Sequence, residues 1–158
     1  MGQQQLLLLV LATVIVGLAT VAGIQAFDEG QTQAAQDALQ QRALTIGSDI
    51  YAATQQPTQL GGISDTESSA SNIAAAAGYG ESGDGDGTSI PADGAGESAG
   101  CDISGSTGGS DPITVTCTSN DNGSGSSANS SSNQHVIVKI KSDGPKVTSI
   151  NGTDITSG

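Results

Sequence analysis

Tryptophan is absent from this 158-residue chain, phenylalanine occurs once and tyrosine twice. A folded part built from it has only a thin core, and no aromatic set is at hand to line a ligand pocket. Basic residues are as scarce: Arg42, Lys139, Lys141 and Lys146 stand against sixteen acidic ones, and residues 61–130 hold ten acidic side chains and no basic one. Nucleic-acid binding is disfavoured, because phosphate contacts need lysine and arginine. An acid surplus with so little lysine fits simple solubility or a saline medium. The single histidine, His135, would need partners to converge on it for a catalytic triad or a metal site; at the start of a strand it is expected to be an exposed edge residue. Beyond Tyr51 only 15 of 107 residues are large and apolar, a density typical of disordered chains. Such a part needs a long helix, a covalent cross-link or neighbouring subunits to hold it.

Apolar sequence is concentrated at the other end. The first 27 residues carry no charged side chain, and Leu6 to Ile24 is almost wholly apolar. As a helix those residues span about 28 Å, close to the hydrocarbon thickness of a bilayer. Three fates are open: a cleaved secretory signal, a permanent anchor, or a membrane segment later withdrawn into a polymer. A secretory signal usually has a positive n-region and a small-x-small cleavage site. Here Met1 to Gln5 contains no lysine or arginine, and the sites near Ala22 and Ala26 match imperfectly. Thr13, Gly17 and Thr20 make one stripe of small residues, and Ala19, Gly23 and Ala26 another. Such stripes let apolar helices approach closely, although they are common in single anchors too. Packing Leu6–Ile24 against copies of itself would remove on the order of 1,000 Å² of apolar surface from water, worth tens of kcal/mol before entropic costs.

The helical pattern continues from Phe27 to Gln56, where Leu39, Ala43, Ile46 and Ile50 form one apolar stripe at i, i+4, i+7 and i+11. Pro57 and Gly61-Gly62 end it. One helix from about Gln3 to Gln56 would be about 80 Å long. Gly61 to about Ser110 reads as loop, apart from a helical turn at Ile73–Ala77. Ile113–Cys117 and His135–Lys141 alternate as half-buried strands, and Ser142–Pro145 turns the chain into a partner strand, Lys146–Ile150. A small antiparallel sheet of three or four strands is expected, packed on the Leu39–Ile50 face.

Other constellations carry less. Cys101 and Cys117 are the only cysteines, and an even count behind an apolar leader points to one disulfide in an oxidising compartment. A metal site or a redox pair are the alternatives, but the spacing of sixteen does not suit CxxC chemistry and no histidine cluster accompanies it. Asp84-Gly-Asp86-Gly has some of the alternation of a calcium loop but lacks the closing ligands, so a flexible acidic linker is expected. Asn122, Asn129 and Asn151 begin glycosylation triplets in a chain where chance matches are common. Lys139 and Lys141 share a face with His135 and, with Lys146, form the basic patch, a candidate to pair with acidic loops of an adjacent subunit.

This order of parts resembles the type IV pilin family, including the pseudopilins: a short polar leader ending in Gly2, the apolar run Gln3–Ile24, an amphipathic continuation to about Gln56, a variable loop, and a small C-terminal sheet with a late cysteine pair. The resemblance covers the whole chain in architecture and residues 1–27 in motif. It implies cleavage after Gly2 by a prepilin peptidase, methylation of the new amine on Gln3, and extraction by pilus assembly machinery into a helical filament. Leu6, Leu7, Thr13, Gly17, Thr20 and Gly23 would line the homo-oligomeric contact. The family usually carries a glutamate where this chain has Leu7; Gln4 or Gln5 can hydrogen-bond the amine but not neutralise it.

The expected fold class is therefore α+β: a long N-terminal helix packed on a small C-terminal antiparallel sheet with long Gly/Ser-rich loops. The expected division is a leader (1–2), a transmembrane or filament-core helix (3–27), an amphipathic stalk (28–56), a Gly/Ser/Asp-rich loop region (57–112) and a β-sheet head (113–158). The expected role is that of a structural subunit without enzymatic activity or cofactor, in the cytoplasmic membrane as a precursor and extracellular once assembled. The other reading is a secreted or single-pass membrane-anchored acidic binding protein.

Overall fold

The computed structural model describes residues 2–64, 69–80, 90–96, 99–105, 107, 112–119 and 134–155. The chain forms two compact units, Met1–Ala34 and Ala35–Gly158. Helix α1 (Gly2–Thr54) contributes residues to both. No proline interrupts it, because the first in the chain is Pro57. It closes in a tightened last turn, where the Gln55 and Gln56 amides donate to Ala52 O at 3.2 Å and Ala53 O at 3.3 Å. Proline disfavours helical backbone in the residue before it, and Pro57 itself is extended. The helix thus stops two residues short of the expected Gln56.

In the first unit, every described residue is helical and solvent-exposed. Long apolar side chains stand in the open: Leu6 is 68% exposed, Leu7 70% and Phe27 68%. The helix here is long and apolar enough to cross a membrane.

The second unit owns the core. Strands β1 (Ile90–Pro91), β2 (Gly100–Ser104), β3 (Ile113–Thr118), β4 (His135–Lys141), β5 (Gly144–Ile150) and β6 (Thr153–Asp154) form one antiparallel sheet in sequence order. A short helix, α2 (Ala70–Ala76), precedes the sheet. Leu39, Ala43, Ile46 and Ile50, the predicted stripe, are fully buried in one cluster with Ile73, Ile103, Val115, Val136 and Val138. Alternation along β4 sorts its side chains: Val136, Val138 and Ile140 are buried, Lys139 is half-buried and Lys141 exposed. Thus the fold is α+β, with the helical stripe and one sheet face supplying the interior.

Two devices tighten this thin core. Gly47 lies where a Cβ would stand 2.9 Å from Pro145 Cβ and 3.2 Å from Val138 Cγ1, so the helix approaches the β4–β5 hairpin more closely than any side chain at that position would allow. Cys101 and Cys117 are register partners on β2 and β3, with Cα atoms 3.9 Å apart, and they form a disulfide. Closing a loop of that length contributes about 3 kcal/mol in the chain-entropy picture.

Two expectations are corrected. The sheet has six strands among the described residues, because β1 and β2 arise inside the stretch 57–112 read as loop. His135 is buried, since β4 lies between β3 and β5 and not at an edge. Its Nε2 accepts a hydrogen bond from Gly152 N at 3.0 Å, and its own amide donates to Asn151 Oδ1 at 3.0 Å, so it fastens the β5–β6 turn. The Asp84–Asp86 segment and the Asn122 and Asn129 triplets lie outside the described residues.

Candidate assembly surface

The residues named for assembly lie on the exposed helix of the first unit. Leu6, Leu7, Thr13, Gly17, Thr20 and Gly23 are all solvent-exposed, as are Gly2 and Gln3 at the expected processing point. Thr13 Oγ1 donates to Val10 O at 2.9 Å, and Thr20 Oγ1 to Gly17 O at 2.8 Å. Both hydroxyl protons are thereby satisfied within the helix, so neither needs an acceptor in water or lipid. Gly17 and Gly23 have open space around them: a Cβ on either would meet nothing within 4 Å. Thr20, Gly23, Ile24, Phe27 and Asp28 outline a shallow, mainly apolar hollow at the end of the run. The unit's charged side chains, Asp28 and Glu29, follow directly after Phe27.

From Leu6 to Ile24 the surface is thus a helix that is apolar all round, with its two threonine hydroxyls bonded internally and no packing partner among the described residues. A helix of that kind belongs in lipid or against other apolar helices, because water surrounding it forfeits the hydrophobic gain.

The second unit holds a polar cluster that the sequence reading missed. Tyr79 Oη donates to Asp49 Oδ2 at 2.5 Å, and the Arg42 guanidinium lies 5.7 Å from the Tyr79 ring centroid. Arg42 Nε also donates to Pro91 O at 3.2 Å. Partial burial, and then the hydrogen bond to the Asp49 carboxylate, push the Tyr79 phenol up to about 12, against the opposing pull of Arg42. The cluster ties the chain after α2, and β1, to α1. Partners thirty or more residues apart leave no local motif by which to find them. At the β4–β5 hairpin, Lys146 meets Asp143 at 2.5 Å and holds its carboxyl below the usual range. Among the described residues, no three histidine, cysteine, aspartate or glutamate side chains group closely enough to hold a metal ion.

Comparison with protein-family models, with curated proteins and with solved structures finds no match for this chain.

Proposed function

We propose that this chain is the structural subunit of an extracellular filament of the type IV pilus kind, held in the membrane as a precursor and polymerised through its N-terminal helix. One observation carries the proposal: the apolar helix of the first unit is wholly exposed, while the second unit buries a complete core without any help from Leu6–Phe27. An apolar surface of that size demands a covering. Lipid covers it in the precursor, and copies of the same helix cover it in the fibre. Gly17 and Gly23 support the second covering. Each costs about 1 kcal/mol of helix stability relative to alanine, and no neighbour among the described residues requires either of them. Close approach between helices of different copies gives them a reason.

Leu7 favours a second reading, a single-pass anchor carrying an acidic surface domain. Without a carboxylate among the first residues, a terminal amine on Gln3 enters an apolar fibre interior unneutralised, and a buried unpaired charge is expensive. Mass spectrometry of the native N-terminus with electron microscopy of sheared surface material separates the two. A start at Gln3 in thin fibres is the expected result. An intact N-terminus in detergent-extracted monomers points to the anchor, and a start near Gly23 or Phe27 in soluble monomers ends both.

A further inference from the structure

All three lysines of the chain sit on one hairpin. Lys139 and Lys141 lie on β4 and Lys146 on β5, and the strand register sets Lys139 directly opposite Lys146. Like charges opposed in this way across an antiparallel pair are unfavourable. Continuing the same row across the sheet, β3 offers Thr114 and β2 offers Ser104, so no carboxylate stands in register to relieve the repulsion. Lys146 is paired with Asp143, with both side chains more than half exposed. That is the one ion pair among the described residues; the Asp143 carboxylate also feels Lys141, while Lys139 has no carboxylate partner among them.

The remainder of the molecule has the opposite sign. The formal net charge is −12, and the remaining base, Arg42, is held by Tyr79 and Pro91. Copies packed side by side therefore repel wherever carboxylate faces carboxylate, and the lysine hairpin is where a neighbour's carboxylates find attraction. A polyanion such as a nucleic acid fits less well, since it would meet three lysines embedded in a strongly acidic body.

We infer that the Lys139–Lys141–Lys146 hairpin is a lateral contact that binds acidic side chains of a second copy of this chain within the fibre. This rests on the filament reading. It assigns two kinds of force to one assembly: apolar packing by the helix, which salt does not weaken, and ion pairing by the folded unit, which salt screens.

Zero-length carbodiimide coupling of intact native fibres tests it, because the reagent joins only amines and carboxylates already in contact. The expected product is a covalent dimer in which peptide mass spectrometry finds Lys139 or Lys141 joined to an aspartate or glutamate of another copy. Lys139→Gln/Lys141→Gln fibres should lose that dimer. Lys139→Glu/Lys141→Glu should raise the critical concentration for assembly about tenfold at low salt, the scale of a few exposed ion pairs, with the difference shrinking in 1 M salt. Fibres that form normally yet give no lysine-linked dimer overturn the inference and leave the filament reading standing. So does a charge-reversed variant that assembles like the wild type but no longer binds duplex DNA, which would assign the patch to a polyanion. If the charge-reversed variant fails to fold, the coupling of wild-type fibres still decides. Native protein that never forms fibres removes both readings together.

Discussion

Two kinds of glycine sit in the same helix. At Gly47 a Cβ would press on Pro145 and Val138, so the residue is small because its own fold comes close. At Gly17 and Gly23 the space is empty. The large residues divide in the same way: Leu39, Ile46 and Ile50 are fully buried, whereas Leu6, Leu7 and Phe27 are two-thirds or more exposed. One stretch of α1 is explained by contacts inside the chain, and the other is left unexplained by them. Side chains that fit nothing at home are evidence of a surface completed elsewhere, and this contrast underlies the assembly proposal.

The contrast breaks most decisively at Val14, an exposed residue of the apolar run. Val14→Asp should abolish fibres, because a charge taken into an apolar interior costs several kcal/mol after relaxation. The urea midpoint of the folded unit should stay unchanged in detergent-solubilised protein. Normal fibre yield from this variant would remove the reason for regarding the first unit as an interface. The converse change is Ile46→Ala. It should destabilise the folded unit by about 2–5 kcal/mol, read as a drop in the urea midpoint.

Removal of the disulfide comes next in size. Cys101→Ala/Cys117→Ala should lose about 3 kcal/mol, enough to leave a thin core marginal. The loss should appear as a lowered melting temperature that reducing agent reproduces in the wild type and leaves unaltered in the variant. Equal stability with and without the bridge would mean that β2 is held by its pairing with β3 alone.

That strand also marks where the sequence stopped being legible. The stripe Leu39, Ala43, Ile46, Ile50 was readable because helical periodicity records a buried face directly, and β4 was readable because Val136, Val138 and Ile140 recur at every second position in a β-branched run. Gly100–Ser104 reads GCDIS, with a single large apolar residue, so its extended state comes from pairing with β3 and not from local preference. His135 was misplaced for a related reason: alternation shows which face a residue occupies but not whether its strand is central or at an edge. The Arg42–Tyr79–Asp49 cluster depends on tertiary proximity alone. The exposed apolar helix was legible from the sequence, since it needs only a run of apolar residues and no pairing with distant parts of the chain.

Glycine replacements sharpen the opening contrast further. Gly47→Ala should cost about 1–3 kcal/mol through overpacking against the hairpin. Gly17→Ala should instead favour the isolated helix by about 1 kcal/mol while lowering fibre yield, because the added methyl holds neighbouring helices apart. Circular dichroism in detergent and sedimentation of fibres read the two effects separately. A Gly17→Ala protein that assembles as well as the wild type would sever the link between the empty space and a close contact between copies.

The smallest effect lies at Tyr79, on the side of the molecule that is complete in itself. Tyr79→Phe removes the hydrogen bond to Asp49 and should cost about 1 kcal/mol, with fibre formation unaffected. The pH dependence gives a more specific signature. The phenol titrates at about 12 in the folded protein against 10.0 for an ordinary tyrosine. Between those values the unfolded chain has released a proton that the folded chain retains, so the unfolded state binds fewer protons and stability falls as pH rises. The contribution is whole below pH 10 and lost through pH 12. Wild type should therefore lose more of its urea midpoint between pH 9 and pH 11.5 than Tyr79→Phe does. Parallel declines in the two proteins would show that the phenol's proton is held no more tightly in the folded unit than in the open chain, and that the link from α2 to α1 rests on packing alone.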